Sequence, residues 1–243
     1  MGGLIQLLRC LICAKRSQNK DCRRFGGIRM GKNLRAMTEE FDHYFIPSLK
    51  PSKRLMIVLH GRGDSLKPFK TIQEELGLES MNYLLLNAPR KYDGGYTWYG
   101  FPPRQAKGVL KARRKLNILM EELEEQGWKT KDVFFFGFSQ GSLVSVDFGM
   151  TYGKPLGGII AISGYVYFFP QWRRKIKAQA FKTKWLMTHG IQDDALDIES
   201  SRICAQKLKD AGLPIKWMEF NKDHEIDEVE EVPSIQKFVG LRG

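Results

Sequence analysis

The sequence predicts an α/β fold: a mostly parallel central sheet with helices on both faces. Three observations carry this. Short apolar runs alternate along the chain with longer segments of helical periodicity, which is the pattern of strands joined by crossover helices. The runs are continuous rather than alternating, as strands buried on both faces are. One of them, Val133-Phe134-Phe135-Phe136, leads through Gly137-Phe138-Ser139-Gln140-Gly141 directly into a helical segment.

The elements follow in order. Phe41 to Ile46 alternates and reads as a first strand ended by Pro47, and Arg54 to Leu59 is a continuous apolar strand. Phe69 to Leu78 has apolar residues at 69, 72 and 76 and predicts a helix. Tyr83 to Leu86 is a strand stopped at Asn87-Ala88-Pro89. Gln105 to Gln126 is the longest helical segment and is closed by Gly127. Its basic residues come first and its acidic residues last, an order that opposes the helix dipole. After the Gly137–Gly141 turn, a helix is expected over Ser142 to Met150. Strands are expected at Gly158 to Ile162, Lys184 to Thr188 and Ile215 to Phe220, with helices near Ile198 to Ala211 and Asp227 to Val239. The aromatic stretch from Asn87 to Pro103 is so rich in glycine and proline that it is expected to form neither strand nor helix.

Composition bounds the organisation. The chain has 243 residues, 42% of them hydrophobic, enough for one large core. No run approaches the roughly 18 apolar residues of a membrane span. The formal net charge is +12, but residues 1–36 hold nine Lys or Arg against Asp21 alone. That basic segment carries little to bury. Residues 1–38 are therefore expected to be a disordered N-terminal extension, with Met30 and Met37 as alternative starts, and residues 39–243 to form the catalytic domain. A charge excess confined to a tail does not make the body a nucleic-acid binder; a weak contact with anionic membranes is the expected use of residues 1–36. Three of the four cysteines, 10, 13 and 22, lie in the tail, and only Cys204 lies beyond it. That usage suits a reducing, cytoplasmic setting, and the Cys10–Cys13 spacing lacks the second ligand pair of a metal site.

The Gly-x-Ser-x-Gly turn carries the chemistry. Between a buried strand and a helix it is a nucleophile elbow, in which a strained turn lifts the Ser139 hydroxyl above the sheet at a helix N-terminus. A serine hydroxyl is a weak nucleophile at neutral pH and needs a base and an orienting acid. Of the four histidines, 43, 60, 189 and 224, only the last two follow Ser139. His224 sits in a loop between a strand and the last helix, where this arrangement presents its base. His189 ends a strand before Gly190 and reads as structural, as does His60. Asp193 lies in the loop after His189 and is the expected orienting acid, with Asp194 and Asp197 as competitors. The oxyanion of acyl transfer needs two N–H donors. The backbone N–H of Gln140 and that of Arg62, in the glycine-bounded loop His60-Gly61-Arg62-Gly63-Asp64, are the expected pair. Tyr96, Trp98 and Tyr99 are the expected substrate wall.

Taken together, His60-Gly-x-Gly-Asp64, Gly137-Phe-Ser-Gln-Gly141, Ala161-Ile-Ser-Gly164, His189-Gly-x-x-Asp193 and His224-Glu225 resemble the acyl-protein thioesterase and small carboxylesterase family of α/β-hydrolases, over about residues 52 to 240. The resemblance implies an α/β-hydrolase fold without a large lid domain, a triad of Ser139, Asp193 and His224, an oxyanion hole at Arg62 and Gln140, and no cofactor or metal. It also implies hydrolysis of small carboxylic esters and acyl thioesters, in some members those of proteins. Two residues depart from the family pattern: Arg62 stands where an apolar residue is common, and Asp223 where a glycine is usual. The aromatic loop looks more like that of the bacterial esterases than that of the animal thioesterases. The expected function is that of a serine hydrolase cleaving esters or thioesters through an acyl-enzyme. A dienelactone-hydrolase-like or peptidase activity on the same fold is the alternative, and a non-catalytic protein docking through its basic tail is the alternative of a different class.

Overall fold

The computed structural model describes residues 38–240. The basic segment, residues 1–36, lies outside them, so the boundary expected near residue 38 falls at the edge of the described chain. Seven strands form the main sheet: β1 (His43–Ile46), β2 (Leu55–Leu59), β3 (Asn82–Leu86), β6 (Val133–Phe138), β7 (Gly158–Ile162), β8 (Trp185–Gly190) and β9 (Ile215–Phe220). Between β3 and β6 in sequence lie β4 (Arg90–Tyr92) and β5 (Gly95–Thr97), which pair with each other. The helices are α1 (Ile72–Leu76), α2 (Gln105–Glu125), α3 (Gln140–Thr151), α4 (Ile198–Asp210) and α5 (Glu231–Val239). The sheet order is β1-β3-β2-β6-β7-β8-β9, parallel throughout except for β1, which pairs antiparallel with β3. This is the α/β-hydrolase architecture, with no large lid among the described residues.

Alternation along each strand divides the core in two. Leu55, Ile57 and Leu59 of β2, with Phe135, Ile159 and Met187, face α2, α3 and α4 through Leu116, Phe148 and Leu208. Met56 and Val58, with Phe134, Ile160 and Leu186, face α1 and α5 through Ile72, Leu76 and Ile235. Both faces of β2, β3, β6, β7 and β8 are covered, which is why apolar residues dominate their sequences. The helix α3 is buried from Gln140 to Met150 and lies under the nucleophile turn.

Three expectations are corrected. The helix expected over Phe69 to Leu78 is a 3₁₀ turn at Pro68–Thr71 followed by α1, only five residues long. The last helix starts at Glu231 rather than Asp227, because Asp227 opens a turn whose Glu230 and Glu231 N–H groups donate to its carboxylate. The aromatic stretch does contain strands. Asp93 and Gly94 both have positive φ, 48° and 76°, the two-residue type I′ hairpin turn that Asp-Gly favours, and β4 and β5 pair across it. The density of glycine and proline masked that signal.

The structure also explains the inverted charges of α2. Arg113 donates two hydrogen bonds to Asp147 of α3 at 2.7 and 2.6 Å, Lys115 reaches Glu40, and Glu124 pairs with Lys154. These charges are placed for tertiary partners rather than for the helix dipole. Among the described residues, no helix is long and apolar enough to cross a membrane.

Candidate active site

The site grows from the carboxyl ends of β6, β8 and β9. Ser139 sits between β6 and α3 at φ 52° and ψ −112°, a conformation costly for a residue with a side chain. A Cβ on Gly137 would come within 2.3 Å of the Gly141 carbonyl oxygen, and one on Gly141 within 2.1 Å of the Leu59 carbonyl oxygen. The turn closes only because both positions are glycine. Ser139 N–H donates to the Ile162 carbonyl at 2.9 Å, tying the strained residue to β7.

Asp193 is the residue that meets His224. His224 Nδ1 lies 2.8 Å from Asp193 Oδ2, and the carboxylate is 0% exposed. Its other oxygen accepts from the N–H groups of Ala195 and Leu196 at 3.0 and 2.8 Å. With Nδ1–H given to the carboxylate, the other imidazole nitrogen of His224 is left as an acceptor, and the ring and Ser139 line the same cavity. Asp194 is exposed, and Asp197 caps α4 by accepting from the N–H groups of Glu199 and Ser200. The Ser200 hydrogen bonds hold the Asp197 carboxyl below its ordinary range.

His189 is buried beside this pair. Its Nε2 lies 3.0 Å from the Leu196 carbonyl and 3.2 Å from Asp193 Oδ2. Both partners only accept, so Nε2 carries the proton and the ring is a second donor to Asp193. Its Nδ1 is buried without a hydrogen-bond partner, as an unprotonated nitrogen, and burial lowers the pKa of the ring. The loop carrying His224 is pinned by Lys222, whose Nζ donates to Glu231 Oε2 and to the Glu225 carbonyl at 2.6 Å each. The Lys222 and Glu231 side chains are 1% and 0% exposed.

The loop after β2 packs against the nucleophile: a Cβ on Gly61 would lie 3.3 Å from Ser139 Cβ. His60 is fully buried there. Its Nε2 accepts from Ala88 N–H at 3.0 Å and its Nδ1 donates to the Gly61 carbonyl, so the ring is a neutral strut whose pKa burial lowers. Gln140, the first residue of α3, turns its side chain inward. Its Oε1 accepts from Trp98 N–H at 2.9 Å, and its Nε2 donates to the Tyr99 carbonyl at 2.8 Å.

A cavity of about 260 Å³ lies over Ser139 and His224, walled by Arg62, Tyr99, Phe101 and Tyr165. Of the three expected wall residues only Tyr99 lines it. Trp98 is 1% exposed, and its indole N–H donates to the His60 carbonyl at 2.9 Å. Tyr96 spends its backbone on the loop after β2, exchanging hydrogen bonds with Gly63 and Asp64 at 2.8 Å. Both hold the hairpin against that loop rather than face the cleft. Tyr165 and Gln105, joined by a hydrogen bond, line the cavity and were missed in the sequence. Tyr165 directly follows Ala161-Ile-Ser-Gly164 at the end of β7, a position from which its place over the elbow could have been read.

Comparison with known proteins follows the same lines. The family profile described as Phospholipase/Carboxylesterase matches residues 43–242. Acyl-protein thioesterase 1 of Aspergillus fumigatus is 26% identical over 225 residues, covering 81% of this chain and 90% of the relative. Carboxylesterase SOBER1 of Arabidopsis thaliana is 26% identical over 183 residues, covering 68% and 80%. The crystal structure of SOBER1 superposes with a TM-score of 0.71 at 25% identity, covering 76% of this chain and 97% of that one. The carboxylesterase of Bacillus cereus shares the fold with a TM-score of 0.71 at 16% identity, over 83% and 98%. With the profile spanning all but the two ends of the chain, this protein belongs to the phospholipase/carboxylesterase family of α/β-hydrolases.

Proposed function

We propose that the chain is a serine hydrolase that cleaves carboxylic esters or acyl thioesters through an acyl-enzyme formed on Ser139. The observation that carries this is the 2.8 Å contact of His224 Nδ1 with the buried Asp193 carboxylate at the edge of the cavity that Ser139 lines. In this reading Ser139 Oγ attacks the acyl carbon while His224 Nε2 takes its proton, and Asp193 stabilises the imidazolium. The backbone N–H groups of Arg62 and Gln140 receive the oxyanion. The tetrahedral intermediate collapses as His224 returns the proton to the departing alcohol or thiol. Water, deprotonated by the same imidazole, then releases the acid and regenerates Ser139. Relatives named for both thioester and ester substrates leave room for either leaving group. The chain's cysteine usage fits a cytoplasmic setting. The basic residues 1–36 fit a weak contact with anionic membranes.

Labelling with a fluorophosphonate, together with turnover of 4-nitrophenyl butanoate, tests the proposal. Wild type should be labelled and active. Ser139→Ala should be unlabelled and slower by about 10³-fold or more in kcat. Labelling of that variant, or more than about a tenth of wild-type turnover, would refute the nucleophile and with it the enzymatic reading.

A further inference from the structure

Beside the catalytic cavity lies a second one of about 450 Å³, and the two share Arg62, Tyr99, Gly100, Phe101 and Pro102 as common wall. Three guanidinium side chains line it: Arg62, Arg90 and Arg104. No carboxylate lines it, and none of the three arginines has an ion-pair partner among the described residues. Asp64, the acid nearest to Arg62 in sequence, turns its carboxylate to Ser65 N–H at 2.7 Å. Arg62 is held in place without an anion: its guanidinium stacks on the Phe101 ring, 3.6 Å from the centroid. Arg90 reaches over Gly100, where a Cβ would lie 3.6 Å from its Nη1. Arg104 is the N-cap residue of α2, a helix with no side-chain cap and no acid in its first turn. The positive end of a 21-residue helix therefore faces the same side. Like charges gathered around a concavity with no counter-charge repel one another and focus a positive potential into it. Two arginines outside this cavity do have carboxylate partners: Arg113 pairs with Asp147 and Arg202 with Glu219.

We propose that this second cavity is an anion-accepting subsite of the Ser139 cleft, and that the preferred substrates are esters or thioesters bearing a carboxylate or phosphate. The guanidinium fork is suited to both groups. This rests on Ser139 being the nucleophile and adds the substrate class.

The test uses two pairs of isosteric esters with the full chain. One pair places the charge on the acyl side: 4-nitrophenyl hemiadipate against 4-nitrophenyl methyl adipate. The other places it on the leaving group: 4-butanoyloxybenzoate against its methyl ester. Each rate is normalised to the hydroxide rate of the same ester. In at least one pair, kcat/KM at low salt should favour the anion by about tenfold, and the preference should shrink as salt rises to about 0.5 M. Arg90→Gln with Arg104→Gln should lower the anionic-to-neutral ratio by about tenfold, with the thermal midpoint reporting that the variant is folded. Equal or better turnover of the neutral ester in both pairs, or a preference that survives in the folded double variant, would overturn the subsite. Failure of the nucleophile reading is separately visible, as loss of serine-dependent turnover on the neutral esters themselves.

Discussion

Asp193 shows how far single residues could be read. Its place in the loop after β8 follows from the order of nucleophile, acid and base, and the structure brings it, and neither Asp194 nor Asp197, against His224. What the sequence hid is that His189, read as structural, is a second donor to the same carboxylate across a short i,i+4 contact. Tyr96 and Trp98 were misplaced for a related reason. Aromatic residues crowd the stretch, but hairpin pairing decides which of them point inward, and that pairing is not a property of composition. Asp193→Asn should lower kcat by about 10²–10⁴, because the His224 ring loses the partner that fixes its tautomer. Asp194→Asn should leave kcat within about twofold. Steady-state kinetics of the two variants on one ester decide it, and the reverse ranking would move the acid by one residue.

Elements were legible where burial is complete on both faces. The buried strands of the parallel sheet declared themselves as apolar runs, and β7 falls on the expected residues. Elements fixed by a few polar contacts were not legible: the turn held by the Asp227 carboxylate delayed the start of α5, and the Asp93-Gly94 turn made a hairpin where none was expected. The loop between β9 and α5 belongs to this class. It holds His224 in place through one buried ion pair, Lys222 with Glu231. Removing one partner leaves the other charge buried and unpaired, so Lys222→Met should destabilise the fold by about 3–5 kcal/mol. Adding Glu231→Leu should recover part of that, since an apolar pair of similar volume removes the orphaned charge. Urea unfolding of wild type, single and double variants tests this; a single variant as stable as wild type would mean that the pair is dispensable.

At the scale of the molecule, the expected division between a basic leader and a catalytic body rests on charge and apolar content alone. The body is the part that the family profile matches. The described core draws on residues from Phe41 onward. A chain beginning at Met37 should therefore keep its thermal midpoint and its kcat/KM on a small ester. The full chain should bind anionic vesicles at low salt and release them at high salt, each basic residue near the surface contributing about 1 kcal/mol. Co-sedimentation of the two proteins with anionic and neutral vesicles separates the outcomes. Equal binding by both would remove any membrane role from residues 1–36, and unfolding of the shorter chain would move the domain boundary.

Gln140 joins two parts that are usually thought of separately. Its backbone opens the helix beneath the nucleophile, and its side chain grips the Trp98 N–H and the Tyr99 carbonyl. The inner wall of the cleft is thus bolted to the reaction centre, and a change at 97–99 is felt at Ser139. The outer lip is held more loosely: Phe101 is 63% exposed, and its ring contact is the stacked Arg62 side chain. Tolerance to substitution should therefore be uneven around one small opening. Substitutions at 100–104 should change what the cleft admits with less effect on the chemistry than substitutions at 97–99.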